Sequence, residues 1–294
     1  MKRRVTILIL IPLLAIALSI IPLWEPASAL ATAQGPASHL LGIKPGGGPL
    51  PAVGAATTSN MIYRGGPIMP ATANVYAIFW EPSGSFVSPT YNSLILRYFS
   101  DVGSSGLYHN NTQYHDIRGN IPSSSALAAS WVDTARYPSR RLSDRQIQIE
   151  VLHAISVNHW SASLSNVFFV FTAKGELVCA GTQCSFSSFC AYHSVFSGRI
   201  YATIPYAGTN LAACGVPLSP NQDPDADSAI NVTSHEQMEA ATDPLLNAWS
   251  DRSGGEIGDK CAWNFGGISV FNGHPYLVQK EWDNVITGCT LVGP

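Results

Sequence analysis

The chain has 294 residues, a formal net charge of −3 and only 12% charged residues. That balance argues against a nucleic-acid surface, which needs clustered Lys and Arg. One apolar run near the N-terminus approaches the length of a membrane span and no second follows, which leaves enough chain for one large domain with a full core.

Lys2, Arg3 and Arg4 precede an apolar run from Val5 to about Trp24, and Ala27-Ser28-Ala29 then offers a small-residue cleavage site. Residues 1–29 therefore read as a secretory signal peptide. An uncleaved anchor is the alternative, disfavoured by Pro12, Pro22 and the cleavage site. After cleavage no membrane association is expected. Residues 30–60 are rich in Ala, Gly, Pro, Ser and Thr and lack hydrophobic periodicity, as expected of a flexible linker or a pro-segment. The folded domain is expected over 61–294.

Asn74 to Trp80 is rich in β-branched and aromatic residues and reads as a buried strand. Tyr91 to Val102 has helical spacing through Leu94, Ile95, Tyr98 and Phe99. Ser143-Asp144 can cap a helix from Arg145 to about Asn158. Asn166 to Thr172 and Arg199 to Pro205 read as two more strands. A helix is predicted to open at Asp225 to Ser228, where acidic residues suit the positive end of its dipole, and to end near Asp243 because Pro244 follows. Ile268–Phe271 and Tyr276–Trp282 read as a hairpin around Asn272-Gly273. The mixture suits a single α+β domain with a mixed or mainly antiparallel sheet.

Cys179, Cys184, Cys190, Cys214, Cys261 and Cys289 all lie in the C-terminal half. An even number in an exported chain reads as three disulfides, and fifteen pairings are open. A cysteine-ligated zinc site is disfavoured, because no paired C-x-x-C spacing is present.

Residues 234–244 read S-H-E-Q-M-E-A-A-T-D-P. On a helix, His235 and Glu239 are i and i+4 and project from one face. Two such side chains can grip one divalent metal, with Glu236 beside them as the base that activates water. This is the H-E-x-x-H metallopeptidase pattern with Glu in place of the second His. Glu256 and Asp259 follow about twenty residues later, and either could be the third ligand. Zinc is the first choice, with manganese or calcium as alternatives because carboxylates suit harder ions. Asp243 lies farther along the same helix face. His193 follows Cys190 by three residues and is either a ligand or transition-state donor, or a ring packed against a disulfide; packing is the more economical reading. Both remain candidates to support the metal from outside its ligand set. Asp223, Asp225 and Asp227 resemble the start of a calcium loop but lack its later residues, so helix capping explains them better. Asn110 and Asn231 head formal glycosylation sequons, the second accidental because it sits beside the candidate site.

Tyr63-Arg64-Gly65-Gly66-Pro67-Ile68, followed by Asn74 to Trp80, resembles the N-terminal signature of the phosphate-induced-protein (EXORDIUM-like) family. Ser234-His235-Glu236 through Thr242-Asp243-Pro244 to Asn247-Ala248-Trp249, and Glu256 to Cys261, are similar to later blocks of that family, in the same order. The short, cysteine-bearing form looks more like microbial members. The resemblance implies secretion to the cell wall or extracellular space, without an established reaction. Its helix resembles that of zinc peptidases, which implies a zincin-like, disulfide-stabilised α+β domain.

Two functions follow as expectations. The first is a secreted metal-dependent hydrolase, a zinc metallopeptidase acting on extracellular protein or peptide. The second is a non-catalytic wall or surface protein that keeps the helix for structure, with Trp131, Trp160, Trp249, Trp263 and Trp282 as stacking surfaces for cell-wall glycans. A monomer is expected in either case.

Overall fold

The computed structural model describes residues 42–46 and 59–294. The expected signal segment and most of the 30–60 stretch lie outside them. Eight elements position the site: β1 (Ala73–Trp80), α1 (Tyr91–Asp101), β2 (Ser125–Asp133), α2 (Asp144–Asn158), β3 (Asn166–Thr172), β4 (Tyr192–Phe196), β5 (Arg199–Ile204) and α3 (Pro224–Thr242). The sheet order is β4-β5-β3-β1-β2. Four strands run parallel, and only β4, at one edge, is antiparallel to its neighbour β5. The sheet is thus mixed and mainly parallel, not mainly antiparallel. The βαβ connections explain this, because a helix carries the chain back to the starting edge after β1 and after β2.

Helices cover both faces of the sheet, so its central strands have no solvent side and read as unbroken apolar runs. Val75, Ala77 and Phe79 of β1, with Val167, Phe169 and Phe171 of β3, pack with α1 and with Ala226, Ala229 and Ile230 of α3. The alternate residues Ile78, Phe168 and Val170 pack with Ile147, Val151 and Ala154 of α2 on the other face. β2 is the second edge, and its burial alternates along its length. Its Ser/Ala-rich sequence carries little strand propensity, so pairing with β1 imposes the conformation that sequence patterning did not indicate.

α3 is the central helix. Asp223 caps it, accepting from the Ala226 amide at 3.0 Å, and Pro224 fills the first turn, where a missing N–H costs nothing. Every residue from Asp225 to Thr242 is buried. A helix this polar is ordinarily solvated on one face, so its enclosure sets the question the site must answer. The hairpin around Asn272-Gly273 forms between Ser269–Phe271 and His274–Tyr276. The expected second strand ends there, and Glu281–Asp283 pairs instead with Gly288–Thr290.

The six cysteines form Cys179–Cys184, Cys190–Cys214 and Cys261–Cys289. No helix among the described residues is long and apolar enough to cross a membrane. Asn110 and Asn231 are fully buried, which bars both sequons from carrying a glycan in the folded chain. Trp249, Trp263 and Trp282 belong to the core rather than to a stacking surface.

Candidate metal centre

His235, Glu236 and Glu239 lie in the middle of α3, and none of their side chains is exposed. His235 Nε2 is 3.0 Å from Glu239 Oε1 and 3.8 Å from Asp259 Oδ1. The spacing seen in the sequence therefore puts the ring and the carboxylate together, and the loop after α3 brings an acid to them. Asp259 is the looser of the two later acids. Its Oδ2 accepts from the Glu256 amide at 3.2 Å, while its own amide donates to Glu239 Oε1 at 3.1 Å. Burial pushes its carboxyl up to about 7, with Glu239 adding to the shift and His235 opposing it.

His193 is the residue that sequence reasoning undervalued. It sits on edge strand β4, and its ring is turned into the cluster rather than merely packed on the Cys190–Cys214 bridge. Nδ1 is 3.4 Å from Glu236 Oε2 and 3.6 Å from Glu239 Oε2, and Nε2 is 3.7 Å from Glu256 Oε1. Glu256 thus reaches the cluster through His193, whereas Asp259 reaches it through His235. Two triads share Glu239, and in each the nearest ligand atoms lie within 4.8 Å of one another: His193–Glu239–Glu256 and His235–Glu236–Glu239. The signal for His193 was a polar residue inside the otherwise aromatic and small A-Y-H-S-V-F run.

Asp243 takes a different role. Its Oδ1 accepts from the amides of Asn247 and Ala248, building the turn beyond α3, and only its backbone carbonyl approaches His193 Nε2, at 3.4 Å. Burial lifts its carboxyl to about 6 against those two amide bonds. Two groups that the sequence did not point out join the site. Gln279 accepts from the Trp263 amide with Oε1, and its Nε2 donates to the Gly258 carbonyl at 2.9 Å and faces His235 Nδ1 at 3.0 Å. Glu281 is fully buried nearby, and burial drives its carboxyl well above the ordinary range. An acid within a run expected to be strand was the signal for Glu281.

The electrostatics are those of an enclosed charge cluster. Burial alone would strip both rings of their charge, but the surrounding carboxylates outweigh it; Glu239 foremost holds His235 up to about 10, and Glu256 foremost raises His193 well above its usual value. Burial likewise opposes the Glu239 carboxylate, yet His235 and His193 hold it down to about 2. Burial raises Glu236 and Glu256. The Gln279 amide limits this picture for His235, because an NH2 group facing Nδ1 leaves no acceptor for a second ring proton there. The ring is held with its proton on Nε2, toward Glu239 and Asp259.

Among the described residues, His193 Nδ1, His235 Nε2, Glu236 Oε2, Glu239 Oε2 and both Glu256 carboxyl oxygens are buried without a hydrogen-bond partner. The His235–Glu239 contact is close but misaligned for a hydrogen bond. Buried polar atoms are normally satisfied, each orphan costing about 1–3 kcal/mol or more if charged. Both Glu281 carboxyl oxygens nearby are orphaned as well, and within this enclosure the His193–Glu239–Glu256 triad offers a donor set that fits a divalent cation.

Fold and site together define a disulfide-bonded α+β protein built around a buried His/Glu cluster. Comparison with known proteins agrees with a distant kinship. The chain is 25% identical to Protein EXORDIUM-like 3 of Arabidopsis thaliana over 293 aligned positions, covering 81% of this chain and 84% of the relative. It is 23% identical to Protein EXORDIUM-like 5 of the same plant, covering 81% of this chain and 79% of that relative. This weak homology supports the EXORDIUM-like relationship. No protein-family model matches the chain. No solved structure matches it.

Proposed function

We propose that the chain is a secreted, metal-dependent hydrolase of zincin-like architecture, acting on extracellular peptide bonds. The observation that carries this reading is the His193–Glu239–Glu256 triad, drawn from β4, α3 and the loop after α3, whose ligand atoms lie within 4.8 Å of one another and which is fully buried with unpartnered atoms on each residue. Glu239 and His193 would hold the cation with Glu256, and His235 would join once its proton moves to Nδ1 and Gln279 turns away. Zinc is the first candidate, although two carboxylates also suit manganese or calcium. Such a cation acidifies water and polarises a carbonyl.

The chain supplies the remaining chemistry. Glu236 has one unpartnered oxygen, Oε2, facing His193, and burial raises its proton affinity. It can take a proton from water at that atom and return it to the leaving amine. His193 Nδ1 lies 3.4 Å from that oxygen. The Cys261–Cys289 bridge ties the loop that carries Glu256 and Asp259 to the strand Gly288–Thr290. The expected signal segment and the three disulfides favour an extracellular setting.

The test is hydrolysis of a quenched-fluorescent peptide library by metal-loaded protein and by Glu236→Gln. The reading expects wild-type turnover and a loss of at least about a hundredfold in the variant, with metal content unchanged. Metal binding with no turnover in either form would instead favour the second reading, a non-catalytic surface protein stabilised by its cation. The distant homology is compatible with that reading as well.

A further inference from the structure

The residues Gly42–Gly46 lie directly over the cluster. Ile43 is fully buried, and its amide donates to Glu236 Oε1 at 3.3 Å. Its carbonyl accepts from the Cys190 amide at 2.7 Å, at the start of the chain leading into edge strand β4. The Lys44 carbonyl accepts from the Trp263 indole at 2.8 Å, and the Gly46 amide donates to the Ala213 carbonyl at 3.0 Å. Four main-chain groups within five residues are therefore paired to the domain. Cys190 and Cys214, beside Ala213, are joined by a disulfide that ties two walls of this groove together. The third wall, Trp263, is tied through its amide to Gln279, the residue that faces His235.

The fit is close at both ends. A Cβ on Gly42 would come 2.4 Å from the Ala191 carbonyl oxygen, and one on Gly46 would come 2.5 Å from the Trp263 ring. Lys44 between them points to solvent and is exposed. The groove thus reads main-chain hydrogen bonds, one buried apolar side chain and small residues on either side.

We propose that this groove is a binding site for extended peptide segments of the form small–apolar–any–Pro–small, and that the chain's own Gly42–Gly46 occupies it as an autoinhibitory plug. The Ile43 amide engages Oε1 of the carboxylate whose Oε2 would activate water, and the plug and a free peptide of the same form compete for the groove. The covalent link gives the plug an effective concentration on the order of millimolar against any free peptide. That the covered carboxylate belongs to a working centre rests on the function proposed above; the peptide specificity of the groove does not.

The test uses full-length protein and a dye-labelled, capped peptide of sequence LGIKPGG, followed by fluorescence anisotropy. Ile43→Asp buries a carboxylate in the apolar core that receives the Ile43 side chain and should release the plug; Gly46→Val, colliding with Trp263, should release it by another route. The peptide should bind either variant at least tenfold more tightly than wild type, and a probe with Asp in place of its Ile should bind none of them. Thermal melts identify a variant that fails to fold, and the other then decides. Equal binding to wild type and to a folded variant, or no binding to any folded variant, overturns the proposal. Neither metal nor turnover enters the readout, so loss of the hydrolase reading would leave this result standing.

Discussion

At the scale of single residues, Glu239 and His193 separate a metal centre from a buried salt cluster. Glu239 belongs to both triads, so Glu239→Gln should lower affinity for zinc by a hundredfold or more, read by calorimetric titration. His193→Ala and Glu256→Gln should each lower it at least about tenfold. Asp243 provides the contrast. Its carboxylate holds two backbone amides rather than the cluster, so Asp243→Ala should destabilise the fold by about 1–3 kcal/mol. Its metal stoichiometry should stay that of the wild type, which denaturant titration and metal analysis together would establish. The H-E-x-x-E letters made His235, Glu236 and Glu239 legible, since helical spacing alone puts i and i+4 on one face. His193 was harder, because it reaches the cluster across the sheet edge, and no local spacing encodes a contact between positions 193 and 239.

At the scale of elements, α3 combines a weak local signal with a strong tertiary role. Its sequence, full of Asp, Asn, Thr, Ser and Glu, looks solvated, yet the sheet and α1 enclose it. Its start is fixed by Asp223, which accepts from Ala226 and also from the hydroxyls of Ser88 and Thr90, each at 2.6 Å. Asp223→Ala removes the cap and leaves those hydroxyls without an acceptor. It should cost about 2 kcal/mol, seen as a lowered unfolding midpoint. The loop after α3 depends on Cys261–Cys289. Replacing both cysteines by Ser should remove about 3 kcal/mol of stability and weaken metal binding as well, because Glu256 and Asp259 lose their support. β1 and β3 were readable from sequence because burial on both faces leaves them uniformly apolar. β2 and β4 are edges whose conformation comes from their neighbours, and neither was anticipated.

At the scale of the whole molecule, stability should depend on pH through acids buried away from the centre. Glu150 of α2 is buried beside Asp133, and burial, reinforced by the Asp133 charge, raises its carboxyl to about 8; burial likewise raises Glu176 to about 7. The folded chain then binds more protons than the unfolded chain between about pH 4.5 and 8. Unfolding free energy contributed by these groups falls as pH rises across that window and levels off above it. Glu150→Gln should flatten the slope, measured by denaturant midpoints from pH 5 to 8.5. The mixed α+β make-up and the three disulfides were legible beforehand. The sheet's mainly parallel order and the docking of residues 42–46 were not, since both are set by contacts between segments far apart in sequence.

The central claim is that the buried His/Glu cluster holds a divalent cation, and metal analysis of the purified full-length protein tests it most directly. After stripping with chelator and titration with zinc, manganese and calcium in turn, one cation should bind per chain, raise the unfolding temperature and lose that effect in Glu239→Gln. Wild-type protein that binds none of the three, or that binds them no differently from Glu239→Gln, would contradict the account.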